Sequence, residues 1–276
     1  MSRIVIFLLF IVLAVSCKKE YTPFNGSNVS HYDISYGKDA SQTLDLFSPS
    51  NNVSNAPVVI LVHGGGWYAG DKNNFYIYDT IDSFLKWGYV VADINYRLAP
   101  KYIYPAPLDD IDSVISYLYK RRKELGININ HLCLLGRSSG GHIVLQYAYT
   151  RNTRGYVKAV VDFFGITDLT DTADLAVRLD TQIANFIGGP YTSAPEKWRE
   201  ASPIYHISHA IPTCIFHGTI DDTVFPIQSA NLKDSLDKRN VPNQFITWQG
   251  ANHNFDETTW HNSISLAFLW LNKTIF

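Results

Sequence analysis

The sequence predicts an α/β protein whose core is a doubly wound, mostly parallel sheet. Three observations carry that prediction. Five apolar runs are nearly continuous: Val58-Val59-Ile60-Leu61-Val62, Val90-Val91-Ala92-Asp93-Ile94, Cys133-Leu134-Leu135, Ala159-Val160-Val161 and Cys214-Ile215-Phe216. Runs of this kind, bounded by Gly, Pro or polar residues, suit strands covered on both faces. Helical patterns lie between them, so strand and helix alternate toward the C-terminus. The chain has 276 residues, 46% of them hydrophobic, and a single domain of about 200–250 residues can bury a sizeable core.

The elements follow in order. Arg3 precedes an unbroken apolar stretch, Ile4 to Val15, too short for a membrane span of about 20 residues but suited to a secretory signal. Ala14-Val15-Ser16-Cys17 resembles a bacterial lipobox, in which Cys17 is lipidated and becomes the mature N-terminus; an ordinary cleaved signal peptide is the alternative. Residues 1–17 are thus expected to be a signal peptide and 18–28 a polar tether. Residues 29–276 then form a single α/β domain in an exported, membrane-anchored protein. Gln42 to Phe47 alternates like a half-exposed strand, and the strands before Val58 are expected at an antiparallel edge. In Leu108 to Leu125, Ile111, Val114, Ile115 and Leu118 share one helical face, with Asp109 and Asp110 in the first turn and Lys120 to Lys123 near the end. The longest break runs from Ile166 to about Ala210 and holds a helical stretch, Leu175 to Ile187. It is either a small lid or a connection with a supporting helix.

Composition narrows the function. The formal net charge is −2, so no global field recruits nucleic acid or an anionic membrane surface. No repeat or zinc-type Cys spacing occurs. With Cys17 lipidated, Cys133 and Cys214 remain, both in apolar runs, and are expected as buried reduced thiols. The sequence implies no metal and no organic cofactor, and it leaves the oligomeric state open.

The chemistry concentrates at strand ends. Gly136-Arg137-Ser138-Ser139-Gly140 fits G-x-S-x-G, with the strand Leu132 to Leu135 running in and the helix pattern Gly141 to Thr150 running out. That context is a nucleophile elbow, in which glycines give room for a sharp turn and a helix N-terminus faces the developing oxyanion. His63-Gly64-Gly65-Gly66-Trp67 directly follows the Val58–Val62 strand and exposes backbone N–H groups for an oxyanion hole. A phosphate-cradling turn is the rival, but neither a P-loop Lys-Ser/Thr nor a dinucleotide GxGxxG accompanies it. A serine nucleophile needs a base and an orienting acid. His253, in a polar loop after the strand-like Gln244 to Trp248, and Asp221, just past the Cys214–Phe216 strand, complete the order Ser, Asp, His.

With these motifs the sequence resembles the hormone-sensitive-lipase-like branch of the α/β-hydrolases, particularly compact carboxylesterases of the feruloyl and acetylxylan esterase type. The resemblance runs from about Tyr32 to the C-terminus. It rests on the glycine turn at 63–67, Asn95-Tyr96-Arg97-Leu98-Ala99-Pro100, the elbow with Gly141-His142, His217-Gly218-Thr219-Ile220-Asp221-Asp222, and Gly250-Ala251-Asn252-His253. It implies the α/β-hydrolase fold: a mostly parallel sheet of about eight strands, helices on both faces and at most a small lid. It also implies Ser138 as nucleophile, Asp221 as acid, His253 as base and the N–H groups of Gly65, Gly66 and Ser139 as the oxyanion hole. His63, His142 and His217 are then structural. Asp222 leaves the acid open by one residue. Arg137, where the family often has an acid, brings positive charge toward an anionic or polyhydroxyl substrate or else makes a surface ion pair.

The expected function is a serine esterase acting through an acyl-enzyme on a small-molecule or glycan ester. The rivals are a kynurenine-formamidase-type amidase and an inactive binding lipoprotein on the same fold.

Overall fold

The computed structural model describes residues 29–49, 54–73, 77–171 and 177–275. The expected signal peptide, Cys17, the tether 18–28 and the start of the expected Leu175–Ile187 helix lie outside them.

Eight strands form one sheet in the order β1-β2-β4-β3-β5-β6-β7-β8. At one side of the sheet the edge strand β1 (Val29–Ser35) pairs antiparallel with β2 (Thr43–Ser48), and β2 meets β4 (Val90–Ile94) antiparallel as well. These are the strands expected at an antiparallel edge. From β4 onward, β3 (Ala56–Val62), β5 (Ile127–Arg137), β6 (Val157–Phe163), β7 (Thr213–Gly218) and β8 (Asn243–Trp248) are all parallel. The continuous apolar runs have the reason expected of them. Alternate residues of each central strand enter two different cores, so Val58, Ile60 and Val62 face one layer while Val59 and Leu61 face the other.

The first core packs beneath α2 (Ala106–Arg121), α3 (Ser139–Thr150) and α6 (Ile227–Lys238). The second is covered by α1 (Ile77–Lys86) and α7 (Glu257–Ile275), which contribute Ile81, Phe84, Trp260, Ile264 and Leu271. Burying each such side chain contributes about 1.5–3 kcal/mol. Cys133 on β5 and Cys214 on β7 are free, buried thiols.

Two details differ from the sequence reading. The helix expected over Leu108–Leu125 starts at Ala106 and ends at Arg121, because the following residues turn into β5 through Gly126 at φ +62°. Asp110 does not face the solvent of its first turn. It is fully buried, paired with Arg97 Nε at 2.8 Å and accepting from Gln42 Nε2 at 2.6 Å.

The segment between β6 and β7 carries α4 (Val177–Ile187), α5 (Pro195–Glu200) and a 3-10 turn over Pro203–His209. Leu179, Ile183, Phe186 and Ile187 of α4 are buried in the first core. This stretch is therefore packed onto the body through one face of α4.

The sheet order reverses between β3 and β5: the chain goes from β3 outward to β4 and returns to β5 on the other side. A crevice opens at the C-terminal ends of parallel strands where the order reverses. The sequence-predicted residues converge there.

Candidate active site

Ser138 links the end of β5 to the start of α3. It holds φ +51° and ψ −124°, a conformation a non-glycine residue keeps only when its surroundings enforce it. Here they do: Ser138 N–H donates to Phe163 O at 2.8 Å, and Ser138 O accepts from His142 N at 3.0 Å. The flanking glycines have a steric cause. A Cβ on Gly136 would lie 2.3 Å from Gly140 O, and one on Gly140 would lie 2.2 Å from Val62 O. The G-x-S-x-G spacing thus lets a tight turn press against the neighbouring strand end.

His253 Nε2 lies 3.0 Å from Ser138 Oγ, and His253 Nδ1 lies 2.7 Å from Asp221 Oδ2. The carboxylate on one side sets the tautomer: Nδ1 carries the proton, and the Nε2 lone pair faces the serine hydroxyl. Asp221 Oδ1 accepts from the backbone N–H groups of Thr223 at 2.9 Å and Val224 at 3.0 Å. Burial raises the Asp221 carboxyl, but hydrogen bonds from His217 and His253 outweigh it and hold the group well below the usual carboxylate range. Asp222 is exposed, and its carboxylate meets Thr223 Oγ1 at 3.4 Å. The acid and histidine loops are tied by Ile220 N–H donating to Ala251 O at 3.1 Å. A Cβ on Gly218 would lie 2.2 Å from that same carbonyl oxygen.

The glycine turn closes the other side. Gly65 and Gly66 have φ +122° and +62°, so the turn needs residues free to adopt left-handed backbone. Gly65 O accepts from Tyr68 N and Ala69 N, whereas the N–H groups of Gly65 and Gly66 donate to no described residue. Ser139 opens α3, where a helix N–H has no acceptor within its own helix. Trp67 anchors the turn. Fully buried, it stacks on Phe186 of α4 at 4.9 Å and donates from Nε1 to His142 Nδ1 at 3.1 Å. Glycine turn, Ser138 and His253 line one cleft of about 390 Å³, which Leu179 and Gln182 of α4 also wall.

The three histidines expected to be structural lie in the framework. His142 is fully buried and donates from Nε2 to Ala201 O at 2.7 Å. Burial lowers its pKa to about 4, which keeps it neutral. His63 stacks on Tyr96 at 4.4 Å and is likewise lowered by burial to about 4. His217 is buried behind the acid, with Nε2 2.8 Å from Val224 O and 3.2 Å from Asp221 Oδ2, and Nδ1 2.7 Å from Ser229 Oγ. Its Nε2 faces two acceptors, so it donates to Asp221. Arg137 makes no ion pair with any described residue; it is partly buried in the cleft wall.

The family model named BD-FAE matches residues 44–236, most of the chain, taking in Ser138 and Asp221 and stopping short of His253. The chain belongs to the BD-FAE family. Among curated relatives, this BD-FAE chain is similar to esterase LipC of Mycobacterium tuberculosis, 27% identical over 242 residues, 81% of this chain and 59% of that protein. It is similar also to the isoprenylcysteine alpha-carbonyl methylesterase ICME of Arabidopsis thaliana, 24% identical over 250 residues, 80% of this chain and 55% of that protein. The chain spans between half and three-fifths of the length of these relatives. Two solved structures share the fold. One is a truncated carbohydrate esterase from gut microbiota, with TM-score 0.78, 22% identity, and 88% of this chain and 96% of that one covered. The other is esterase B from Lactobacillus rhamnosis, with TM-score 0.74, 19% identity, and 89% and 86% covered. Both place this BD-FAE chain in the α/β-hydrolase fold.

Two residues of this BD-FAE site, Phe164 and Gln182, were not legible in the sequence. Phe164 has φ +45°, is buried, and sets its ring 4.7 Å from that of His253. Nothing in its apolar run marks it. Gln182 sits over the glycine turn, so near that a Cβ on Gly66 would lie 2.5 Å from its Oε1. Its helix was legible, but which face of α4 meets the cleft was not.

Proposed function

We propose that this chain is a serine esterase that hydrolyses carboxylic esters through an acyl-enzyme. The observation that carries the reading is the continuous hydrogen-bonded relay from Ser138 Oγ through His253 to Asp221, at 3.0 and 2.7 Å. His253 Nε2 takes the Ser138 proton as Oγ attacks the ester carbonyl. Asp221 holds the tautomer and stabilises the imidazolium, while His217 positions Asp221. The oxyanion forms against the N–H groups of Gly65, Gly66 and Ser139, which act in a walled cleft where water competes poorly. The imidazolium then protonates the leaving alcohol, and water, activated by the same histidine, releases the acid. Short acyl or carbohydrate-linked esters are the proposed substrates, supported by the names of the relatives and by a cleft of modest volume. Export and anchoring through a lipid on Cys17 complete the proposal, on the strength of the N-terminal sequence alone.

The test is kcat/KM on p-nitrophenyl acetate, butyrate and octanoate, with Ser138→Ala alongside. Ser138→Ala is expected to lower kcat by about three orders of magnitude or more. Activity within tenfold of wild type would sink the assignment, and turnover of amides alone would move it to an amidase.

A further inference from the structure

Arg137 stands out among the buried or partly buried cations. Lys72 is paired with Asp45 at 2.9 Å and Asp33 at 3.0 Å, and Arg97 with Asp110 at 2.8 Å. The Arg137 guanidinium, with five donors, has no hydrogen bond or ion pair with any described residue. It is nevertheless partly buried, and burial lowers its pKa. Desolvating a charge without compensation costs free energy, so an uncompensated guanidinium in a cleft is poised for an external anion.

Its position fits that role. Arg137 immediately precedes Ser138 and lines the same cleft, its stem beside the glycine turn: a Cβ on Gly64 would lie 3.6 Å from its Cγ. None of the described residues lining the cleft is Asp, Glu or Lys. Asp71, which like Arg137 acts electrostatically on His63, is engaged by Asn73 N at 3.0 Å and Asn95 Nδ2 at 3.1 Å. His63 is neutral and adds no charge. Asp221 lies behind His253 with both oxygens occupied. Along β5, Arg137 shares the side of Cys133 and Leu135, which enter the second core, while Leu179 of α4 belongs to the first. The cleft is therefore asymmetric about Ser138, with a cation on one flank and an apolar and amide wall on the other.

We propose that Arg137 is a specificity-determining residue that binds a carboxylate on the substrate, so that the enzyme selects anionic esters over neutral ones. This rests on the esterase reading above and names its substrate class. A guanidinium–carboxylate hydrogen bond in such a cleft discriminates by about 10- to 100-fold.

The experiment uses the full chain and two matched pairs. The carboxylate is on the alcohol side in 4-acetoxybenzoate, compared with its methyl ester. It is on the acyl side in mono-p-nitrophenyl glutarate, compared with p-nitrophenyl butyrate. The expected result is a tenfold or greater kcat/KM preference for one anionic member, shrinking as salt rises. In Arg137→Gln that ratio falls by about 10- to 100-fold, and Arg137→Lys restores part of it. No preference in wild type, or a ratio unchanged in Arg137→Gln, overturns the proposal. Loss of Ser138-dependent turnover on all four esters counts against the esterase reading instead. Calorimetric binding to the Ser138→Ala protein then decides Arg137 separately: tighter binding of 4-acetoxybenzoate than of its methyl ester supports the carboxylate site, and equal or absent binding overturns it.

Discussion

Replacing Asp221 by Asn isolates what the buried carboxylate does, and the structure supplies the reason for the size of the effect. Oδ1 of Asp221 accepts two backbone N–H groups, from Thr223 and Val224. An asparagine must keep its own oxygen there, because an amide nitrogen would face two donors. Its Nδ2 then takes the place of Oδ2, 2.7 Å from His253 Nδ1 and 3.2 Å from His217 Nε2. Both of those nitrogens carry protons, so donor meets donor. His253 relieves its half of the conflict by moving its proton to Nε2, which points at Ser138 Oγ from 3.0 Å. A protonated Nε2 accepts nothing, and the proposed nucleophile loses its proposed base. A wrong-tautomer histidine in a triad costs about 10³- to 10⁴-fold in kcat, equal to about 4–5.5 kcal/mol of barrier. Asp222→Asn, on an exposed side chain, is expected to stay within about threefold. The assay is kcat/KM on p-nitrophenyl acetate for both variants, with a thermal melt to show that each is folded. A folded Asp221→Asn protein retaining more than a tenth of wild-type activity, or a larger loss in Asp222→Asn, would refute the reasoning.

Three further outcomes are expected. Gly65→Ala would bring a Cβ to 2.1 Å from Ala69 O at φ +122°, and should both unfold more easily and lose about 100-fold in kcat. Gly155→Ala, left-handed with nothing within 4 Å of its Cβ, should cost only about 1–2 kcal/mol and no activity; equal effects on stability and turnover at the two positions would refute a steric cause. Asp162 is fully buried, and burial pushes its carboxyl from 3.8 to about 8. Its contribution to stability is therefore full below pH 4 and lost as pH rises to about 8. Asp162→Asn, whose Oδ1 can still accept from Gly165 N–H, should gain on wild type in urea unfolding by a few kcal/mol between pH 5 and 8.5, and a constant difference would refute the shift. Arg97→Met leaves the buried Asp110 without its cation and should cost about 3–5 kcal/mol. A melt within 2 °C of wild type would show the pair to be dispensable.

The sheet was legible because a central parallel strand must be apolar on both faces, and runs such as Val58–Val62 and Cys133–Leu135 show that directly. The antiparallel edge was legible from the change to alternation at Gln42–Phe47. Helix ends were less so: Lys123, Glu124 and Leu125 favour helix locally, and the turn at Gly126 that ends it serves β5. Asp110 carried the wrong message. A carboxylate in a first turn reads as a dipole partner, and only Arg97 and Gln42, brought from elsewhere, explain why it lies inside.

The site divides along the same line. Residues whose chemistry demands a local backbone form were visible, since an elbow needs Gly136 and Gly140 around Ser138 and a glycine turn needs Gly65 and Gly66. Local form could not choose between Asp221 and Asp222, because one residue of register in a loop leaves no pattern. In the structure they differ completely: one carboxylate takes two backbone N–H groups and two imidazoles, and its neighbour points to solvent. Phe164 and Gln182 were invisible for a further reason. Each acts through contact with a segment distant in sequence, His253 in one case and Gly66 in the other. Arg137 lies between these cases. Its place beside the nucleophile was evident in the motif, but its meaning depends on the carboxylates that do not reach it, and a missing partner becomes a property of the molecule only once the neighbours have been folded into place.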